Sequence, residues 1–276
     1  LVVMSATLDG DRLARFLAAP RLSSEGRSYP VTVSHFPARR DESLEVQTRR
    51  AVEAALVEHP GDVLVFLPGQ REIIRIERGL AESAPIAASN TLVLPLHGEL
   101  SVDQQSLALQ PDPQGRRRVV LATNVAESSV TLPGVRVVID SGQAREPRYD
   151  PNSGFSRLEI VNIAQASADQ RTGRAGRVAE GWAYRLWPQS QRLEPQRRPE
   201  IAQVELAALA LELAAWGSDE LRFVDAPPPG ALSAARDLLQ RLGALDATLA
   251  ITALGKRMLA LGTHPRLSAM LLLAHG

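Results

Sequence analysis

Between residues 61 and 187 the chain alternates short apolar, β-branched runs with stretches of helical spacing, and this alternation constrains its fold more than any other feature. Residues 62–67, 91–96, 118–123, 135–140 and 182–187 are each bounded by glycine, proline or polar residues, and read as strands. Residues 70–82 and 101–109 carry apolar side chains at helical spacing between them. Such alternation predicts an α/β fold, a parallel sheet with helices on both faces. Between residues 143 and 163 the pattern changes. Tyr149-Asp150-Pro151-Asn152-Ser153-Gly154 is a turn signal flanked by strand-like sequence, and predicts a β-hairpin projecting from the sheet. Beyond about residue 190 helical spacing takes over, at residues 201–216, 231–242, 252–261 and 265–275, interrupted by Pro227-Pro228-Pro229-Gly230. Residues 243–251 are suited to a small wing, so this second domain reads either as a winged helix or as a generic helical bundle.

Composition narrows the class. With 276 residues, 45% of them hydrophobic, the chain can bury a large core, and its length favours about two domains. Net charge is zero, but Lys256 is the only lysine, so nearly all the positive charge is arginine. The clusters at Arg116-Arg117-Arg118 and residues 171–177 form local basic patches, so a zero total does not exclude a nucleic-acid partner. The absence of cysteine excludes disulfides and thiolate metal sites, is compatible with a reducing cytoplasm, and leaves no metal cluster apparent in the sequence. No apolar run reaches the roughly 18 residues that span a membrane, and the chain does not begin with a signal peptide. It opens on an apolar strand, Leu1-Val2-Val3-Met4, with no initiator methionine, as expected of a piece cut from a longer protein.

The octet QRTGRAGR, residues 170–177, carries the sharpest chemistry. On a helix, Arg174 and Arg177 project from one face and can converge on one anion, while Gln170 can orient a water molecule. Gly173 and Gly176 each cost about 1 kcal/mol in a helix, which suggests that something approaches the backbone closely. The octet alone leaves two readings open, a phosphate site and an ordinary solvated basic helix.

Four further segments follow strands, where a nucleotide-binding sheet places its loops. Ser5-Ala6-Thr7 follows the opening strand; by itself it is as consistent with a turn or a helix cap. Val65-Phe66-Leu67-Pro68-Gly69-Gln70 runs through a glycine turn into a helix whose free N–H groups suit a backbone phosphate, or is a structural turn. Leu96-His97-Gly98-Glu99-Leu100 ends another strand, and His97 reads as packed or hydrogen-bonded, without a proton-transfer role. Residues 122–131, dense in hydroxyls and amides, can donate neutral hydrogen bonds to phosphate and ribose without reading base sequence, or form a hydroxyl-rich turn.

In this order the segments resemble the DEAH-box group of superfamily 2 helicases, over nearly the whole chain. SAT at 5–7 resembles motif III, VLVFLPGQREI at 63–73 motif IV and LPLHGELSVDQQ at 94–105 the segment after it. TNVAESSVTLPGVRVVIDSG at 123–142 resembles motif V and QRTGRAGR motif VI. The tail, with AALALELAAWG, DAPPPGAL, LLQRLGALD, ITALGKRM and HPRLSAMLL, is similar to the winged-helix and ratchet region of that group, most of all in the bacterial HrpB subfamily.

The resemblance implies that residues 1–26 end a first RecA-like domain and that 27–188 form a second, followed by a winged helix at 189–262 and the start of a helical ratchet at 263–276. ATP would bind between the RecA-like domains. Arg174 and Arg177 are then implied to contact the γ-phosphate, one or both as arginine fingers, with Gln170 positioning the attacking water and Gly173, Ser129 and Thr131 near the nucleotide. Thr123, Asn124, Gly69 and Gln70 are implied to touch the RNA backbone, and the hairpin with Tyr149 and Arg157 to act as a wedge at the strand junction. Ser5 and Thr7 would couple the two sites. Two positions depart from the family: Pro133 replaces an acidic residue able to bond ribose, and Leu109 an aromatic that stacks on adenine. The chain also contains no Gly-x-x-x-x-Gly-Lys-Ser/Thr loop and no Asp-Glu-x-His stretch, so the Mg²⁺ ligands and the phosphate-binding lysine are expected upstream of Leu1. The implied activity is ATP-driven, 3′ to 5′ translocation on RNA in the full-length parent. The alternatives are a non-catalytic nucleic-acid-binding module and a DNA helicase of the same superfamily.

Overall fold

The computed structural model describes residues 3, 10–22, 29–128, 130–150, 152–217 and 221–274, so Ser5, Thr7 and Ser129 lie outside the described residues. In chain order the elements begin with α1 (Gly10–Leu17), β1 (Val31–His35), α2 (Leu44–Glu58), β2 (Asp62–Phe66), α3 (Gln70–Ala81), α4 (Ala84–Ala88) and β3 (Leu92–Leu96). They continue with α5 (Val102–Leu109), β4 (Arg118–Ala122), α6 (Val125–Ser128), β5 (Val135–Asp140), β6 (Gln143–Asp150), β7 (Phe155–Asn162), α7 (Gln165–Thr172) and β8 (Gly181–Arg185). Four helices follow: α8 (Ala207–Trp216), α9 (Pro229–Arg241), α10 (Ala253–Ala260) and α11 (Pro265–Ala274). The chain divides into two compact units, Leu1–Arg145 with Ile160–Arg197, and Glu146–Glu159 with Arg198–Gly276.

In the first unit six strands pair in the order β1-β8-β5-β2-β4-β3, all in parallel, the sheet that the strand–helix alternation predicts. Successive side chains point to opposite faces, and both faces are covered, so the central strands are apolar except at Asp62, Arg118, Arg136 and Asp140. Val63, Val65, Val119, Leu121, Val137 and Ile139 pack on one face against Ala51, Val52 and Ala55 of α2 and Ile73, Ile76 and Leu80 of α3. Leu64, Phe66, Val120, Ala122 and Val138 pack on the other, against Ala108 of α5, Ala126 of α6 and Ala175. Each fully buried Val, Leu or Ile contributes about 1.5–3 kcal/mol.

Two elements escape the periodicity. β1 sits at the sheet edge with Thr32, Val33 and Ser34 exposed, so its sequence carries no buried run. α2 buries Gln47 and Thr48 on its inner face, which interrupts the apolar stripe; the Gln47 amide donates to the carbonyls of Phe36 (2.9 Å) and Leu186 (2.8 Å).

The octet departs from its helical reading. α7 stops at Thr172, and residues 173–176 continue as tight turns in which Arg174, Ala175 and Gly176 donate to the carbonyls of Arg171, Thr172 and Gly173. α7 begins at Gln165 with Ala164 as an N-cap that makes no side-chain bond.

In the second unit, Leu206, Ala210 and Leu211 of the α8 region pack with Leu238 and Leu239 of α9, Met258 of α10 and Ala269 of α11. The helix expected from residue 201 starts only at Ala207, after a 3₁₀ turn at Glu200–Ala202, where the Glu205 carboxylate accepts from Ala207 N (2.8 Å). Leu245 and Ile251 form a single antiparallel bridge across a turn held by the Asp246 carboxylate. β6 and β7 form the expected hairpin, and its tip belongs to this unit. At the tip the Asp150 carboxylate accepts from Asn152 N (3.1 Å) and Ser153 Oγ (2.9 Å), while Tyr149 N donates to Gln203 O (2.8 Å). Among the described residues no helix is long and apolar enough to cross a membrane.

Candidate functional site

The parallel register sorts the predicted site residues of the first unit onto two rims. Phe66 of β2 is level with Ala122 of β4 and Asp140 of β5, and Leu96 of β3 is level with Ala122. Gly69, Gln70, His97, Thr123 and Asn124 therefore leave from one carboxyl rim. They are tied there by bonds from Leu67 N to Ala122 O (2.8 Å), Thr123 N to Leu96 O (3.2 Å) and Ser141 N to Phe66 O (3.1 Å). Asn124 is exposed, and Thr123 and Gln70 are half-buried. Gly69 is buried because Arg145 lies across it; a Cβ there would stand 2.8 Å from Arg145 Nε. Arg145 in turn pairs with Glu72 at 3.5 Å, so a guanidinium roofs the first turn of α3, whose N-cap makes no side-chain bond. His97 is packed, and its Nδ1 has no hydrogen-bond partner among the described residues.

From that rim α6 and α7 cross one face of the sheet toward the amino ends of the strands. Gly134 accepts from Asp62 N (2.9 Å) at the start of β2, and Gly176 accepts from Tyr29 N (2.8 Å) just before β1. Thr131 and Arg177 consequently lie toward the amino ends of the strands, and Arg174 reaches back to Glu127 on α6. Arg174 is 5% exposed; its Nε donates to Glu127 O (3.0 Å) and its Nη1 to Val130 O, while Nη2 is buried without a partner among the described residues. Burial and the neighbouring Arg177 hold its pKa down to about 10, opposed by Glu127. Arg177 is exposed, with Nη1 3.5 Å from Thr131 Oγ1. The two guanidiniums thus reach the same loop by way of a turn instead of a helix face.

The two glycines differ. Gly176 is there for the protein's own chain, since a Cβ would stand 2.5 Å from the carbonyl oxygen of Tyr29. Gly173 is exposed, and a Cβ there would meet nothing closer than its own helix carbonyls at 3.5 Å, so only Gly173 leaves backbone open to a ligand. Gln170 is half-buried on α7. Tyr149 and Arg157 belong to the second unit, where both are exposed and Arg157 pairs with Asp150 (3.6 Å) and Glu159 (3.4 Å).

The reading of residues 171–177 as a basic patch fails at Arg171, which is fully buried. Its Nε pairs with Glu127 (2.9 Å), its Nη1 with Asp140 (2.8 Å) and Gln143 O (3.3 Å), and its guanidinium lies 4.8 Å from the Phe66 ring centroid. Burial opposes its charge, but the carboxylates of Asp140 and Glu127 raise its pKa above the usual value. Burial pushes the Asp140 carboxyl up, against the pull of Arg171. The only signal in the sequence is the pair of acids, Glu127 and Asp140, that end adjoining segments. Of the two departures, Pro133 offers its carbonyl to Arg118 Nη2 (2.6 Å), and Leu109 packs on the core.

An anionic group suits this cluster, which has one exposed guanidinium, one buried guanidinium nitrogen without a partner among the described residues, and open backbone at Gly173. Among the described residues no group of three or more metal-ligating side chains is present.

Residues 47–179 match the helicase conserved C-terminal domain. The chain is 43% identical over 280 residues to the ATP-dependent RNA helicase HrpB of Escherichia coli (strain K12), covering 99% of this chain and 34% of that protein. It is 37% identical to the pre-mRNA-splicing factor ATP-dependent RNA helicase prp22 of Schizosaccharomyces pombe, covering 99% of this chain and 24% of that protein. The crystal structure of the Escherichia coli DEAH/RHA helicase HrpB superposes with a TM-score of 0.88 at 42% identity, over 97% of this chain and 34% of that one. The chain therefore spans about a third or less of the length of these relatives.

Proposed function

Because the chain belongs to the DEAH-box helicases and carries their conserved C-terminal domain over residues 47–179, we propose that it supplies the second half of the motor of an ATP-dependent RNA helicase. The observation that carries this reading is the buried Nη2 of Arg174, without a partner among the described residues, beside the exposed Arg177, both at the loop that ends in Thr131. A buried guanidinium with a free donor is stabilised by an anion, and fixed positive charge acts most strongly where phosphoryl oxygens gain negative charge. ATP with Mg²⁺ supplies the phosphoryl group whose transfer to water drives the motor. Arg174 and Arg177 bind its terminal oxygens, Gln170 orients the water, and Gly173, Ser129 and Thr131 line the nucleotide. The phosphate-binding lysine and the Mg²⁺ ligands come from residues outside this chain, which has neither sequence pattern.

At the carboxyl rim, Gly69, Gln70, Thr123 and Asn124 hold the RNA backbone, a sequence-independent mode that suits neutral donors and helix-start amides. Tyr149 and Arg157 present the hairpin tip to the strand junction, while Ser5 and Thr7 link the two sites. We assign residues 1–26 to the end of a first RecA-like domain, 27–188 to the second, 189–262 to a winged helix and 263–276 to the start of a ratchet, in a cytoplasmic protein.

The test is Arg177→Ala in the full-length protein. RNA-stimulated ATP hydrolysis is expected to fall by about 10³-fold or more, the scale of an arginine finger, with RNA binding largely retained. Unchanged turnover would falsify the assignment. Stimulation by single-stranded DNA as strong as by RNA of equal length would instead favour the DNA helicase reading, since only contacts to the 2′-hydroxyl separate the two.

A further inference from the structure

Of the three arginines in the octet, Arg171 takes no part in the proposed phosphate site, yet it is the most deeply buried. Hiding a guanidinium costs more than packing an apolar side chain of the same volume, so its charge calls for a role beyond filling space. Its partners come from three separate segments. Glu127 on α6 accepts from Nε at 2.9 Å, and Asp140 at the end of β5 accepts from Nη1 at 2.8 Å. Gln143 O, at the root of the hairpin, accepts from Nη1 at 3.3 Å. Asp140 Oδ1 also accepts from Gly142 N (2.9 Å), fixing the turn that leads from the sheet into β6. On the other side, Glu127 offers its backbone carbonyl to Arg174. One residue, Glu127, is therefore held through its side chain by Arg171 and holds Arg174 through its backbone.

We propose that Arg171 is a positioning residue that couples the phosphate-facing arginines to the carboxyl rim and the hairpin root. When Arg174 moves on the phosphate, the Glu127 carbonyl moves with it. The Glu127 carboxylate then carries the shift into Arg171 and on to Asp140 and Gln143, because a buried ion pair yields less readily than it translates. The link requires the planar fork of arginine, which donates in two directions from one rigid plane; an ammonium cannot. The inference rests on the helicase reading above.

The experiment uses the full-length protein and a duplex RNA with a single-stranded overhang. Arg171→Lys keeps the charge without the fork, and Glu127→Gln keeps the size without the charge. For both, ATP turnover and strand separation are measured on the same substrate. The expected result is a fall in strands separated per ATP hydrolysed on the order of tenfold, within the range of a single site-to-site coupling, with the KM for ATP unchanged. The double variant should be no worse than the more affected single, since both break one link. A proportional loss of both activities would mark Arg171 as structural, and an unchanged ratio would exclude coupling; either overturns the proposal. If Arg171→Lys does not fold, Glu127→Gln gives the same ratio. Wild-type protein without RNA-stimulated turnover would overturn the helicase reading itself, whereas an active wild type with fully coupled variants overturns only this inference.

Discussion

Arg174 donates through Nε to the carbonyl of Glu127 at 3.0 Å, so this guanidinium is held by the loop that precedes Thr131 before any ligand arrives. A second donor, Nη1, is taken by Val130 O, which leaves the plane fixed and Nη2 free among the described residues. A lysine in this place has no planar fork to hold, and its ammonium would rotate freely. Held in this way, the guanidinium cannot reorient independently of the loop that carries the Glu127 and Val130 carbonyls.

The two octet glycines are expected to respond oppositely to a methyl group. Gly176→Ala puts Cβ 2.5 Å from Tyr29 O and 2.8 Å from Val31 Cγ2, so β1 must shift at its entry. A loss of about 2 kcal/mol or more is expected, the scale of overpacking. Gly173 has helical φ and ψ of −59° and −16°, so Gly173→Ala should leave stability unchanged or raise it by about 0.5 kcal/mol. Urea melts of this chain read both, and equal effects would contradict the geometry.

Asp62 and Arg118 pair at the amino ends of the neighbouring strands β2 and β4. Arg118 is 1% exposed, and its Nε and Nη2 both donate to Asp62 Oδ2, at 2.9 and 2.7 Å. Asp62→Ala strands a buried guanidinium and should cost about 3–5 kcal/mol, as when one partner of a buried pair is removed. A shift in the urea midpoint worth less than about 1 kcal/mol, the median of an exposed pair, would show that solvent already screens it.

Acid should weaken the first unit through two carboxylates. A side-chain hydrogen bond from Arg50, then a backbone bond from Arg39, lowers the Glu42 pKa from 4.5 to about 2. A side-chain bond from Arg116 lowers that of Asp112 from 3.8 to about 2. The folded state binds these protons less readily than the unfolded chain, so the stabilisation is present above the unfolded values and is lost as pH falls toward 2. Glu42→Gln and Asp112→Asn should each flatten the stability curve between about pH 4.5 and pH 2, measured by thermal melts across that range. An acid limb as steep as that of the wild type in both variants would rule out these two groups.

How far the sequence could be read depended on burial. β4, with all five residues buried, declares itself as an apolar run, and Ser101 with Gln104 declares the start of α5 as a capping box. β1 does not, because an edge strand with three exposed residues need not be apolar. At the site, the pairing of Arg177 with Thr131 joins two motifs already legible as phosphate chemistry, whereas Arg145 covering Gly69 left no trace in either segment.

Local pattern therefore determined the parallel sheet, the hairpin, the helical second half and the arginine and hydroxyl segments that carry chemistry, because strand burial and turn residues act within a few positions of one another. Only the tertiary structure decided which arginine of the octet is buried and which is exposed. Arg171, Arg174 and Arg177 are chemically identical in the sequence. Their burial, and the carboxylates or carbonyls each one meets, come from segments 28 to 47 residues away, brought alongside by the crossing of α6 and α7 over the sheet.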